Sequence, residues 1–201
     1  EHYWLPVSKG FLNIQKGQFA AAKEQATYVT QKYSSPSVLN FADNMFARSG
    51  DFARARDVFL KLEPRYLDRQ QWPDILNEGD DDACLVGLTL IKTGDEALGT
   101  ELLSFAANYW EQTAPIYIQH ADRYPSYECH AYLGNVDQSL AALEMSLSHQ
   151  HVLSRWLGIA ANPYLRMIQE DPRFADMDER ARAELTRQRE NLARIEAEAG
   201  P

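Results

Sequence analysis

The sequence lacks any run of about 18 consecutive apolar residues, the length that a membrane-spanning helix needs. Positive charge is also scarce, because 20 lysines and arginines stand against 29 aspartates and glutamates and leave a net charge of −9. A general surface for nucleic acid or for an anionic membrane needs a basic field. We therefore expect neither a membrane span nor nucleic-acid binding in this chain.

Motifs of catalysis are missing as well: there is no phosphate-binding loop, no dinucleotide glycine fingerprint and no nucleophile elbow. His149 and His151 suggest a metal site, but residues two apart on a helix point to different sides. The run Glu128-Cys129-His130 suggests a cysteine–histidine pair, but neighbours on a helix do not face each other. We therefore predict a non-enzymatic segment with no catalytic residue, no metal and no cofactor.

Cysteine is limited to Cys84 and Cys129, which do not have the C-x-x-C spacing of a redox or metal motif. We expect two half-buried thiols that pack as small hydrophobic side chains. A disulfide between them requires that the fold bring the two residues together, and that alternative stays open.

Strand signals are weak, since the sequence has no useful alternating run and no Asn-Gly or Asp-Gly hairpin turn. A glycine turn recurs instead, at intervals of 33, 44 and 40 residues. A repeat every 30 to 45 residues or so indicates a stacked array. The four turns are Gly17-Gln18-Phe19, Gly50-Asp51-Phe52, Gly94-Asp95-Glu96 and Gly134-Asn135-Val136.

Each unit of the array reads as two helices joined at the glycine, where a left-handed backbone conformation costs glycine nothing. Apolar stripes with helical spacing lie on both sides of the turn. A small residue follows five positions after each glycine and should let two helix backbones approach closely. These small residues are Ala22, Ala55, Gly99 and Ser139.

Two regions depart from the repeat. An insert near residues 65–82 contains Pro73 and ends in an acidic run, and it is either a functional loop or an extra short helix, with Trp72 covering the edge of the core. Residues 171–201 are predicted to form a long charged helix, from Asp176 to about residue 198. It carries ion pairs four residues apart, namely Asp176 with Arg180, Asp178 with Arg182 and Glu190 with Arg194.

The pattern as a whole resembles the tetratricopeptide repeat (TPR) family over residues 4 to about 148. Unit four is degenerate, the signature tryptophan is absent, and Glu96 stands where the family prefers an aromatic residue. The resemblance rests on Gly10, Gly17, Phe19, Ala22 and Ala26; on Phe46, Gly50, Phe52, Ala55, Phe59 and Pro64; on Gly87, Leu90, Gly94, Gly99 and Leu103; and on Gly134, Ser139 and Leu143.

The resemblance implies an all-α fold: a right-handed helical-repeat solenoid of at least eight helices. We expect about four units in residues 1–170 and a capping helix in residues 171–201, because a solenoid needs an atypical end. The motifs Asn162-Pro163 and Asp171-Pro172-Arg173-Phe174 resemble the C-terminal tails of bacterial winged-helix regulators and class III adenylate cyclases. The chain begins at Glu1 in patterned sequence, so we expect it to be part of such a longer signalling protein.

TPR proteins use the concave surface that is lined by the first helix of each unit. Outward-facing positions there are our candidate partner-binding residues, since amides and tyrosines combine contact area with hydrogen bonds. These positions are Asn40, Asn44 and Arg48 from unit two, Lys92 from unit three, and Tyr124, Glu128 and Tyr132 from unit four. Family members that bind C-terminal carboxylates use a basic clamp. Asn40 and Asn44 match only its amide part, so we do not expect that mode.

Our first hypothesis is a module that binds a protein or peptide and serves as the sensory or scaffolding tail of a signalling protein. The rival hypothesis is a small-molecule sensor, or an enzyme, with a closed pocket between the array and the tail. We expect a cytoplasmic location, with the periplasmic part of a membrane-anchored regulator as the alternative. A homodimer stays open.

Overall fold

The computed structural model describes residues 3–78, 82–113, 126–148, 153 and 156–199, and these residues form α-helices and short 3₁₀ segments without any strand. The all-α prediction is confirmed. The 3₁₀ segments are Pro64–Leu67, Arg69–Gln71 and Pro163–Leu165. The helices are α1 (Trp4–Gln15), α2 (Phe19–Lys32), α3 (Pro36–Arg48), α4 (Phe52–Leu62), α5 (Trp72–Asn77), α6 (Ala83–Lys92), α7 (Glu96–Thr113), α8 (Ser126–Tyr132), α9 (Val136–Ser148), α10 (Trp156–Ala161), α11 (Arg166–Gln169) and α12 (Pro172–Ala199).

The four repeated glycines all adopt the left-handed conformation that the turns require. Their φ angles are 70° at Gly17, 81° at Gly50, 100° at Gly94 and 80° at Gly134. The residue after each glycine donates its backbone N–H to the carbonyl five residues earlier, at 2.8–2.9 Å. This bond closes the end of the preceding helix. The predicted glycine turns are confirmed, and they divide the chain into the pairs α1/α2, α3/α4, α6/α7 and α8/α9.

Consecutive helices of these pairs pack against one another in chain order, from α1 to α4 and from α6 to α9, with α4 packed on α6. The small residues after the turns are buried, as their spacing predicts, and Ala22, Ala55 and Ser139 are at most 1% exposed. The Ser139 hydroxyl donates to the Tyr127 carbonyl oxygen at 2.7 Å and joins α9 to α8. Small residues at these positions therefore allow close helix contacts.

The insert between α4 and α6 forms two 3₁₀ segments and the short helix α5, so the extra-helix alternative holds. Trp72 is 4% exposed, and its indole Nε1 donates to the Tyr66 carbonyl oxygen at 2.9 Å. Tyr66 and Ile75 join it in the core beside α6 and α7. The prediction that Trp72 covers the core edge is confirmed.

Cys84 of α6 and Cys129 of α8 form a disulfide with a Cα–Cα distance of 4.8 Å. The expectation of two separate thiols is wrong. Both residues are fully buried and not half-buried, and the packing of α6 on α8 brings them together across 45 residues of sequence. The bond joins the first helix of unit three to the first helix of unit four.

The last helix starts earlier than the sequence predicts, at Pro172 instead of Asp176. Proline is favoured in a first helical turn, and the Asp171 carboxylate accepts from the Arg173 backbone N–H at 2.9 Å. The ion pairs of Asp176 with Arg180 and of Asp178 with Arg182 are confirmed at 3.0 and 2.7 Å.

The expected pair of Glu190 with Arg194 is wrong, because Arg194 pairs with Glu198. Helix α12 packs against α9 and α11 through its N-terminal half. Met177 and Ala181 are buried there, whereas Leu192 and Ile195 are more than half exposed. Over the described ranges, none of the helices has both the length and the apolar character needed to cross a bilayer.

Candidate functional site

A cavity of about 270 Å³ lies where the first helices of all four units meet α10. We call it the central cavity. Helices α1, α3, α6 and α8 supply one side, and α10 completes the wall. Its lining residues are Phe11, Ile14, Gln15, Asn40, Phe41, Asn44, Arg48, Asp82, Leu85, Tyr127, Glu128, Gly158 and Ile159.

A charged pair crosses the cavity wall between units two and four. The Arg48 guanidinium Nη2 donates to Glu128 Oε1 at 3.0 Å and to Oε2 at 3.4 Å. Arg48 Nε donates to the Asn44 side-chain oxygen at 2.8 Å. The side chains of Arg48 and Glu128 are only 18% and 6% exposed. An ion pair so little exposed loses much of its hydration, and this cost offsets much of the attraction between the two charges.

The surroundings of this pair keep Arg48 charged. Burial by itself would lower the Arg48 pKa, but the negative charge of Glu128 and the nearby tyrosines raise it above its ordinary value overall. The same surroundings keep Tyr132 neutral. Burial raises the pKa of its phenol, and the negative charge of Glu128 raises that pKa further. The site therefore presents a fixed cation and a carboxylate, with the neutral Tyr132 hydroxyl close by.

Amide and aromatic groups surround the charged pair. Phe11 and Phe41 meet edge to face, with ring centroids 5.6 Å apart. The side chains of Asn40 and Gln15 add hydrogen-bonding amides, and Ile159 adds an aliphatic surface that is 2% exposed. Six of the thirteen lining residues carry an amide or a charge, so the wall offers both hydrogen-bonding groups and apolar surface to a ligand.

Helix α10 is held in place by contacts on its far side. Trp156 is fully buried, its indole stacks on Phe174 of α12, and its Nε1 donates to an Asp178 oxygen at 2.7 Å. The Gln169 amide donates to the carbonyl oxygens of Ile159 and Asn162, both at 2.8 Å. These contacts connect the cavity wall to the C-terminal helix.

Four of the seven predicted partner-binding residues line the central cavity, namely Asn40, Asn44, Arg48 and Glu128. Tyr132 lies beside them, where its hydroxyl accepts from the Asn162 amide at 3.4 Å. Lys92 is exposed at the end of α6 and is not among the cavity residues. Tyr124 lies outside the described residues.

No family model, curated protein or solved structure matches this chain. The TPR resemblance consequently stays a proposal, and the central cavity is the observation from which function can be argued.

The side chains of Glu128, Cys129 and His130 contact three different partners. Glu128 accepts a hydrogen bond from Arg48, Cys129 forms the disulfide with Cys84, and His130 Nε2 lies 2.7 Å from a Glu111 oxygen. The prediction that these neighbours do not face one another is confirmed. His149 and His151 lie outside the described residues.

Sequence reasoning missed the contributions of α1 and α10 to the cavity. Phe11, Ile14 and Gln15 could have been found, because they follow the helical spacing of the first helix in unit one. Gly158 and Ile159 had no such signal, since their place depends on how α10 folds back onto α1. The contact between α10 and α1 joins residues far apart in the chain, and no local sequence motif predicts it.

Proposed function

We propose that the chain is a TPR-like right-handed helical-repeat array that acts as a ligand sensor. The array is supported by the four glycine turns, by the packing of helices in chain order and by the position of α12 against α9. Helix α12 caps the array by covering the apolar face of its last unit.

The observation that carries the sensor function is the central cavity. Its volume of about 270 Å³ equals that of about nine liquid water molecules. This is just below the roughly 300 Å³ at which typical small-molecule sites begin, so the cavity suits a compact ligand. A peptide partner of the usual TPR kind would compete with α10 for the same surface, because α10 supplies one wall of the cavity. The geometry therefore favours the rival hypothesis of a small-molecule sensor over a peptide-binding groove.

The contact between α10 and α12 gives this sensor a route of communication. A ligand that touches Gly158 or Ile159 changes the environment of α10, whose Trp156 is bonded to Asp178 of the C-terminal helix. The sensor would then form the C-terminal part of a bacterial signalling protein. The Cys84–Cys129 disulfide favours the periplasmic alternative, since disulfides persist in oxidising compartments.

Filling the cavity tests this function. Gly158 lines the cavity, and a Cβ added to it would meet no atom within 4 Å. A thermal-shift screen of compact metabolites should find a ligand that raises the melting temperature of the parent protein. Gly158→Met should abolish that shift, and Gly158→Ala should largely keep it.

Two results would overturn the proposal. One is a ligand whose effect is the same in the parent and in Gly158→Met, with an unaltered circular dichroism spectrum. The other is a protein or peptide partner that binds the Asn40 and Asn44 surface only after α10 is displaced.

A further inference from the structure

Arg48 lines the central cavity, and one nitrogen of its guanidinium has no acceptor among the described residues. Nε and Nη2 are used by Asn44 and Glu128, whereas no described residue accepts from Nη1. An arginine has five N–H donors in a planar fork, and two of them belong to Nη1. These two N–H groups can donate to an acceptor of a bound ligand, such as a carboxylate oxygen, in a charge-assisted hydrogen bond.

Glu128 offers the complementary half of the site. Both of its oxygens accept from a single nitrogen, Arg48 Nη2. A carboxylate has about four lone-pair positions, so Glu128 retains the capacity to accept from a ligand ammonium group.

The charge balance of the wall decides among ligand classes. A ligand with a carboxylate alone would meet Arg48 but would also bring its negative charge close to Glu128. A ligand with an ammonium alone would meet Glu128 but would lie close to the Arg48 guanidinium. A neutral ligand would leave the Nη1 donors of Arg48 and the remaining lone pairs of Glu128 without a charged partner. A zwitterion satisfies both charges at once.

From these contacts we infer that the central cavity binds the zwitterionic head group of a free amino acid, with its carboxylate on Arg48 and its ammonium on Glu128. This inference rests on the proposed sensor function and names its ligand class. The apolar wall of Phe11, Phe41 and Ile159 would take the side chain, so the ligand is an amino acid with an aromatic or large aliphatic side chain. L-Phenylalanine combines such a head group with one aromatic ring and is the probe that we choose.

The test compares four molecules that share a phenyl ring and differ in charge: L-phenylalanine, 3-phenylpropionate, 2-phenylethylamine and 3-phenylpropanamide. None of the other three is larger than L-phenylalanine, so all fit if it fits. Isothermal titration at about pH 6, where amines are protonated, should give L-phenylalanine an affinity at least about tenfold above each of the others. L-Leucine serves as the aliphatic probe.

Variants that remove one charge should change which ligand binds most tightly, and a mere loss of stability would not cause such a change. Glu128→Gln should move the preference from the zwitterion toward 3-phenylpropionate, and Arg48→Gln should move it toward 2-phenylethylamine. Glu101→Gln and Arg69→Gln remove the same charges from an exposed pair outside the cavity, and they should leave the preference unchanged.

The inference is overturned if 3-phenylpropanamide, 3-phenylpropionate or 2-phenylethylamine binds the parent protein as tightly as L-phenylalanine. It is also overturned if neither L-phenylalanine nor L-leucine binds the folded protein. Binding of the neutral amide with loss of binding in Gly158→Met would reject the amino-acid ligand and keep the sensor function. A failure of every compact ligand in the thermal-shift screen would reject both.

Discussion

Gly99 of α7 faces the backbone of Gly87 on α6 so closely that a Cβ built on Gly99 would lie 2.5 Å from the Gly87 carbonyl oxygen. The same atom would lie 2.9 Å from the Ile91 backbone nitrogen. Both neighbours are main-chain atoms, which cannot rotate away as the end of a side chain can. The two helices of unit three can approach this closely only because neither residue has a side chain.

Gly99→Ala should therefore lower the free energy of unfolding by about 1–3 kcal/mol, although alanine favours a helix by up to about 1 kcal/mol over glycine. Urea unfolding followed by circular dichroism measures this change. Gly158→Ala is the matched control, because an added Cβ there meets nothing and the propensity gain should appear alone. A Gly99→Ala variant as stable as the parent would contradict the close-contact assignment.

Removal of the disulfide between Cys84 and Cys129 should cost about 2–5 kcal/mol, since it frees the loop between them in the unfolded chain. The double variant Cys84→Ala/Cys129→Ala should show this loss in urea, and a reducing agent should lower the stability of the parent but not of the double variant. Alkylation of the unfolded, unreduced protein followed by mass spectrometry should find no free thiol. Two alkylated cysteines would show that the bond is not formed.

The local features of this fold follow from the sequence because each of them is determined within a few residues. A left-handed position selects glycine, so Gly17, Gly50, Gly94 and Gly134 mark the turns directly. A close helix contact selects a small residue at a fixed distance from the turn, as at Ala55 and Gly99. Four cavity residues were found for the same reason, since outward positions on a first helix follow from helical spacing.

The features that sequence reasoning missed depend on how distant units stack. Cys84 and Cys129 are 45 residues apart, and Arg48 and Glu128 are 80 residues apart. No spacing rule connects residues in different units, because the rotation from one unit to the next decides which of them meet. The return of α10 to α1 is of the same kind, and it places Gly158 and Ile159 in the wall of the central cavity.

The bond between Trp156 and Asp178 should make stability depend on pH in acid. Burial would raise the pKa of Asp178, but hydrogen bonds from Arg182 and Trp156 lower it overall, below the ordinary 3.8. A carboxyl group with a lower pKa in the folded state contributes stability that is fully present above its unfolded pKa of about 3.9. That contribution is lost as the pH falls through the folded-state pKa.

Asp178→Ala should therefore differ most from the parent above about pH 4, and the two free energies of unfolding should converge as the pH falls below it. Urea unfolding at a series of pH values, followed by tryptophan fluorescence, measures the difference. The exposed Asp74→Ala change controls for the loss of one negative charge. A difference that stays constant down to the acid transition would mean that the Asp178 charge is not responsible.

The two halves of α12 should make unequal contributions to stability. Met177, in the N-terminal half, is 5% exposed against the core of unit four, whereas Leu192, in the C-terminal half, is 55% exposed. Met177→Ala should cost about 2–5 kcal/mol, because it leaves a cavity in a packed core. Leu192→Ala should change the free energy of unfolding by less than about 0.5 kcal/mol.

Truncation separates capping from assembly by the same logic. Deleting residues 186–201 removes Leu192 and Ile195 but keeps the residues that pack on α9, so a capping helix predicts an unchanged melting temperature and an unchanged mass in sedimentation. Deleting residues 171–201 uncovers the apolar face of α9, so the melting temperature should fall and a dye for hydrophobic surfaces should bind. The Arg180 bond to Glu144 of α9 is lost only in the longer deletion. If the shorter deletion instead converts a dimer to a monomer at unchanged stability, the exposed half of α12 is an assembly surface and capping is not its whole role.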